Sequence, residues 1–270
     1  MTSDYAKLTT GTLVVEQEGK LLTITLNRPK ELNPLDPVTL LELGECIAQA
    51  DRDVGVEIIL LRGAGRAFSA GGDLKNHLRV HQDAEAMRRM GALAAAAMDR
   101  IVATSKLVIA VVEGLCVAGG LELILCCDFV IATETASFSD GHLNVALLPG
   151  SGGTQRMPRW TGPLRAKELM LTARFVDGKE ALALGLVTYC WPAAELTERL
   201  ASLTADLLRK SFAARAAIKY LVYQSQESPL SAGLQIERAF VQHFETTHPD
   251  AHEGILAFVE KRKPKFGPPG

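Results

Sequence analysis

Neither sign of charge dominates this 270-residue chain: 29 lysines and arginines stand against 31 aspartates and glutamates, a net charge of −2. Tracking phosphates demands a concentrated basic face, so no nucleic-acid partner is expected. Aromatics are scarce at 6%, and no stretch approaches about 18 uninterrupted apolar residues, the length of a membrane span. The segment Met1 to Lys7 has no apolar signal core, so the expectation is a cytoplasmic protein without a membrane partner. Cysteine is also sparse. Cys46, Cys116, Cys126, Cys127 and Cys190 are odd in number, scattered and set in apolar runs, which reads as buried thiols in a reducing compartment.

Several familiar chemistries are missing as well. The first strand is not followed by a G-x-G-x-x-G turn with an acidic residue about 20 positions on, which excludes a dinucleotide-binding dehydrogenase. Adjacent Cys126 and Cys127 lack zinc-ligand spacing, and His243, His248 and His252 flank Pro249 without an HExxH pattern, so no metal is expected. Ser69 and Ser151 lie in glycine-rich loops, but neither occupies a G-x-S-x-G elbow.

What the chain has is 23 glycines within a composition that is 47% hydrophobic, the profile of an ordinary α/β globule. A chain of this length buries roughly three quarters of its unfolded surface. Thr12 to Val15 and Leu21 to Leu26 are β-rich runs around the turn Glu18-Gly19-Lys20. Asp36 followed by Pro37 predicts an N-cap and first helical residue, opening a helix to about Ala50. Glu57 to Leu61 predicts a strand, Gly63 to Gly72 a glycine-rich loop, Asp83 to Ile101 a helix and Lys106 to Val112 another strand. The run Ala94 to Ala97 predicts a close-packed helix face. A break at Gly119 and Gly120, a helix to about Cys127, a strand from Phe129 to Ala132 and a loop to Gly153 complete the repeat. Recurring β-β-α turns argue for an α/β spiral over residues 1–195. Residues 196–270 read as a C-terminal helical subdomain with a basic, Pro/Gly-rich tail from Lys261.

Two glycine pairs carry the chemistry. Phe68 to Leu74 places Gly71-Gly72 between a strand and a short helix, where amide N–H groups turn outward. Gly114 to Glu122 repeats the device at Gly119-Gly120, where a helix dipole adds to the free N–H groups. Two such turns on successive repeats can converge on one oxygen. Two N–H donors aimed at a carbonyl form an oxyanion hole, and removing one donor typically costs about 3 kcal/mol of transition-state stabilisation.

Four segments in this order and spacing, Phe68 to Lys75, Ala118 to Leu123, Pro149 to Arg156 and Phe258 to Arg262, resemble the signature of the crotonase (enoyl-CoA hydratase/isomerase) superfamily. The resemblance spans roughly residues 10 to 265. It implies a superhelix of β-β-α turns, a trimeric disc often stacked as a hexamer, and coenzyme A entering only as part of the thioester substrate. It further implies oxyanion donors at the amides of Gly72 and Gly119 and an adenine near Ala70, Gly72, Asp73 and Leu74. The segment Asn27 to Asn33, with Lys30 and Leu32, matches the family's other nucleotide-contacting stretch, and Phe258 and Lys261 match residues that reach the CoA phosphates.

The acid/base pair departs from the hydratase pattern. Glu122 matches the first catalytic glutamate, and its setting among Leu121, Leu123, Ile124 and Leu125 predicts a carboxyl pKa raised by desolvation. The second glutamate's position falls on His142, which can shuttle a proton near neutral pH or activate water. Asp140 can share that work or orient the imidazole. The expected activity is hydration of the 2,3-double bond of an enoyl-CoA. His142 keeps a hydrolytic or C–C-cleaving alternative open. Isomerisation is weakened by Gly150, which stands where some family isomerases carry an acid. A non-catalytic acyl-CoA binder is the remaining alternative, opposed by retention of Glu122 beside both glycine turns.

Overall fold

A computed structural model describes residues 5–268; Met1–Asp4 of the amino-terminal segment and the last two residues of the basic tail lie outside the described residues. A hairpin starts the fold. Strands β1 (Leu13–Glu18) and β2 (Leu21–Leu26) are antiparallel, joined at Gly19-Lys20, where Gly19 has a φ of 56°. That left-handed conformation suits glycine. Helix α1 (Pro37–Arg52) begins at Asp36, whose carboxylate accepts the N–H of Thr39, with Pro37 in the first turn.

The chain then advances in turns that each feed two sheets. Strands β3 (Ile58–Gly63) and β4 (Ala67–Ser69) precede helices α2 (Leu74–Val80) and α3 (Ala84–Ala103). Strands β5 (Leu107–Val112) and β6 (Leu115–Val117) precede helix α4 (Gly119–Ile124). Strands β7 (Phe129–Thr133) and β8 (Ser137–Ser139) precede α5 (Gly153–Thr161) and α6 (Pro163–Thr172). After β9 (Val176–Asp177), α7 (Gly178–Leu184) and β10 (Tyr189–Trp191), the rest is helical: α8 (Leu196–Leu208), α9 (Phe212–Glu227), α10 (Leu230–Thr247) and α11 (Pro249–Val259).

The larger sheet runs β1-β2-β3-β5-β7-β10, parallel from β2 onward, and the smaller runs β4-β6-β8-β9. This second sheet corrects the sequence reading, which left residues 63–72 and the stretch before Gly153 as plain loops. Its strands are two or three residues long and too short to show a period.

Burial explains the layering. All six residues of β5 are buried, as expected for a parallel strand covered on both faces. Ile59, Leu61, Val108 and Ala110 join the main core, whereas Ile58, Leu60, Leu107 and Ile109 face a second cluster capped by Leu196 and Leu200 of α8. The alanine run is packed on one side only: Ala97 is buried and Ala94 touches the core, but Ala95 and Ala96 are exposed, because residues three apart share a helix face. Four cysteines are buried and Cys190 is half-buried; all five are free. Burial pushes the thiols of Cys46 and Cys126 up to about 12, which keeps them protonated. No helix among the described residues is long and apolar enough to cross a membrane.

Candidate active site

The two glycine turns meet. A Cβ built on Gly71 would lie 2.9 Å from the amide nitrogen of Gly119, and one built on Gly119 would lie 3.4 Å from that of Gly72. At Gly71 only glycine lets the loops approach this closely, whereas a Cβ at Gly119 would make ordinary contacts. The N–H groups of Gly72 and Gly119 donate to no protein acceptor among the described residues. At the entry to α4, Ala118 has a φ of 50° and a ψ of −118°, a strained conformation for a residue with a side chain. Such strain concentrates at functional sites, and here it sets the direction in which the following amide points.

Supports beneath the loops were not legible as site residues. Asn33 is buried, donates its amide to the carbonyls of Ala64 (3.0 Å) and Ala67 (2.7 Å), and accepts the N–H of Arg28. The hydroxyl of Ser69 donates to the Asn33 carbonyl and accepts the N–H of Gly71. The N–H of Ala70 donates to the Leu32 carbonyl at 2.9 Å, so the Lys30–Leu32 segment is tied to the first glycine turn. Asp73 caps α2, accepting the N–H groups of Lys75 and Asn76, while Lys30, Gly72 and Leu74 are exposed. Phe258 and Lys261 are exposed too, and the Lys261 N–H donates to the Phe258 carbonyl. No hydrogen bond or ion pair joins Phe258 or Lys261 to the glycine turns.

One helical turn beyond Gly119, Glu122 is 3% exposed. Its Oε1 accepts the N–H of Ser151 at 2.7 Å and that of Gly153 at 2.9 Å. The carboxylate thus sits on the amino-terminal end of α5, where free N–H groups and the helix dipole favour negative charge. Nothing in the spacing of residues 122 and 151–153 reveals this contact. The other oxygen, Oε2, lies 3.6 Å from Nε2 of His142, and Nδ1 of His142 lies 3.1 Å from Oδ1 of Asp140. Asp140, His142 and Glu122 therefore stand in a row.

Burial raises the Glu122 pKa above the ordinary carboxylate range, opposed by the two amide donors and by His142. For His142, burial pulls downward, but its hydrogen bond to Asp140 and the charges of Asp140 and Glu122 outweigh it, so its pKa stands above the usual imidazole value. The carboxylate and the imidazole thus stand side by side, both largely withdrawn from solvent, with both pKa values raised. Gly150 is exposed and, having no side chain, supplies no acid. Two of the three C-terminal histidines, His243 and His248, line a groove between α9 and α10, and His248 stacks on Phe244, while His252 is exposed on α11.

A buried carboxylate and a half-buried imidazole beside two unpaired amides on a two-sheet spiral are groups of the kind that acid/base chemistry at an oxyanion requires. The chain belongs to the enoyl-CoA hydratase/isomerase family, whose pattern it matches over residues 16–269. It is 36% identical to a crotonyl-CoA hydratase of Syntrophomonas wolfei over 94% of this chain and 97% of that protein. It is 38% identical, over the same shares, to a probable enoyl-CoA hydratase of Bacillus subtilis. Among solved structures, an enoyl-CoA hydratase from Bacillus anthracis superposes with a TM-score of 0.88 at 33% identity, covering 94% of this chain and 98% of that one.

Proposed function

We propose that this protein is an enoyl-CoA hydratase that adds water across the 2,3-double bond of an enoyl-CoA, through an enolate held by the amides of Gly72 and Gly119. The observation that carries this reading is the Glu122–His142 pair, 3.6 Å between Oε2 and Nε2, with Glu122 one helical turn beyond Gly119, whose amide stands against the Gly71–Gly72 turn. A water about 2.8 Å from both atoms would bridge that gap in this reading. The oxyanion cradle lowers the barrier to forming the enolate, and the pair exchanges protons with water and with the α-carbon.

Lys30, Leu32, Ala70, Gly72, Asp73 and Leu74 form the nucleotide end of the acyl-CoA site in this reading, supported by the backbone tie between Leu32 and Ala70. Phe258 and Lys261 reach a CoA bound in a neighbouring protomer, which accounts for their exposure here. Residues 196–270 are the assembling part of a homotrimer or a stacked hexamer. The free, mostly buried thiols support a cytoplasmic setting. The site reads as needing no cofactor beyond the CoA of the substrate, since proton transfer and oxyanion stabilisation are both supplied by protein groups.

The test is turnover of crotonyl-CoA and longer enoyl-CoAs, followed by loss of the conjugated chromophore, with Glu122→Gln and His142→Ala alongside. Hydration by wild type and at least about a 100-fold loss in each variant is the expected outcome. The Asp140–His142 contact favours one competitor, hydrolysis by an imidazole-activated water, and release of free CoA thiol without hydration would establish it.

A further inference from the structure

We propose that Asp140 is a positioning residue that keeps a proton on Nδ1 of His142, so that His142 presents Nε2–H as the acid for the α-carbon while Glu122 Oε2 takes the proton of water. The assignment rests on the hydratase reading for its second half only.

The loop is built to make residues two apart face each other. Gly141 turns the chain with a φ of 69°, and a Cβ there would lie 2.7 Å from Cγ1 of Val117. Both Nδ1 and the backbone N–H of His142 are thereby drawn toward Asp140 Oδ1, at 3.1 and 3.4 Å. A carboxylate only accepts, so the ring nitrogen facing it carries the proton. Asp140 is 2% exposed and its Oδ2 has no hydrogen-bond partner. An ionised carboxylate so placed is stabilised chiefly by a cation beside it, and His142 is the neighbouring group able to become one. Asp140 and Glu122 are the charged groups that act on the imidazole, one at each ring nitrogen. Glu122 Oε1 is committed to two amide donors, which favours the anion and leaves Oε2 as the basic atom.

The protons balance on this assignment. Water attacks the β-carbon as Glu122 Oε2 takes one of its protons; the 2,3 π-bond opens and its electrons pass to the thioester oxygen held by Gly72 and Gly119. When the enolate collapses, the α-carbon takes the proton of His142 Nε2. Glu122 is then protonated and His142 neutral, and transfer across the short gap restores carboxylate and imidazolium. The sum is one water added.

The experiment is 15N NMR of the histidine side chains, with pH–rate profiles, on wild type and Asp140→Asn. In wild type, His142 is expected to hold its Nδ1 proton and to titrate above an ordinary imidazole. In Asp140→Asn, titration moves lower by about one unit, kcat falls about 10- to 100-fold, KM changes less than about threefold, and the alkaline limb of the rate profile shifts to lower pH. A merely structural Asp140 would leave the profile in place. The roles separate in D2O: Glu122→Gln is expected to lose hydration yet exchange the α-protons of butyryl-CoA, and His142→Ala to lose both. An Nε2–H tautomer in wild type, or an unchanged His142 titration in a folded Asp140→Asn, overturns the proposal, and the wild-type spectrum decides the first without any variant. If wild type hydrates nothing while His142 shows the Asp140-dependent Nδ1 proton, the hydratase reading fails and the positioning role stands.

Discussion

Gly153 makes the environment of Glu122 possible. A Cβ at that position would lie 2.9 Å from Cβ of Pro149, 3.1 Å from Oε1 and 3.3 Å from Cγ of Glu122, so Gly153→Ala crowds both the loop and the carboxylate and is expected to loosen its amide bonds. Those donors hold the Glu122 pKa down against burial. Their loss raises it, the base stays protonated to higher pH, and the acid limb of kcat/KM is expected to move upward with at least about a tenfold loss of kcat at pH 7. A pH–rate profile beside a thermal melt checks this, because an unfolded variant loses the cooperative melt as well. Gly120 tells a different story. Its missing Cβ would lie 2.6 Å from the Ser69 carbonyl oxygen, so Gly120→Ala separates α4 from β4 and is expected to destabilise by about 1–3 kcal/mol in urea unfolding. Both glycines were legible in the sequence as parts of motifs, but not their different tasks, since each depends on what stands opposite.

At the scale of elements, α9 is clamped to one end of the larger sheet. Arg215 pairs with Glu57 before β3, and Lys219 with Asp128 before β7 at 2.8 Å, all four largely buried. Arg215 also stands over the Phe212 ring, 5.6 Å from its centre, and two of its guanidinium nitrogens, Nε and Nη1, have no hydrogen-bond partner. Tyr223, two turns from Arg215, donates its hydroxyl to the Cys126 carbonyl beyond the end of α4. Removing one member of a buried pair strands the other charge. Glu57→Leu alone is expected to cost about 3–5 kcal/mol, and Glu57→Leu with Arg215→Met to recover most of it. Urea unfolding of both single variants and the double decides. The helical periodicity of residues 212–227 was readable, but not these pairings, which span 158 and 91 positions.

For the whole molecule, surface area bears on assembly. A compact monomer of 29.1 kDa should expose about 11,400 Å², and this chain exposes 14433 Å². The excess of roughly 3,000 Å² accords with α10, 18 residues without a buried side chain, and with exposed Ile218, Val222 and Leu230. A surface excess on this scale, with those apolar side chains on it, suits burial against further copies. Sedimentation at micromolar concentration is expected to give a trimer or hexamer, and a stable monomer would refute that assembly.

The sequence by itself determined the periodic elements, the two glycine turns and which residues stand at the family's acid/base positions, because these depend on local conformation and on side-chain type. Only the tertiary structure decided that a second sheet of very short strands aligns those turns, that the start of α5 holds Glu122, and that Asp140 backs His142. The first two of those contacts join segments whose meeting depends on how the spiral closes, and no local pattern encodes a distance across it; the third spans two residues and depends on the left-handed turn at Gly141.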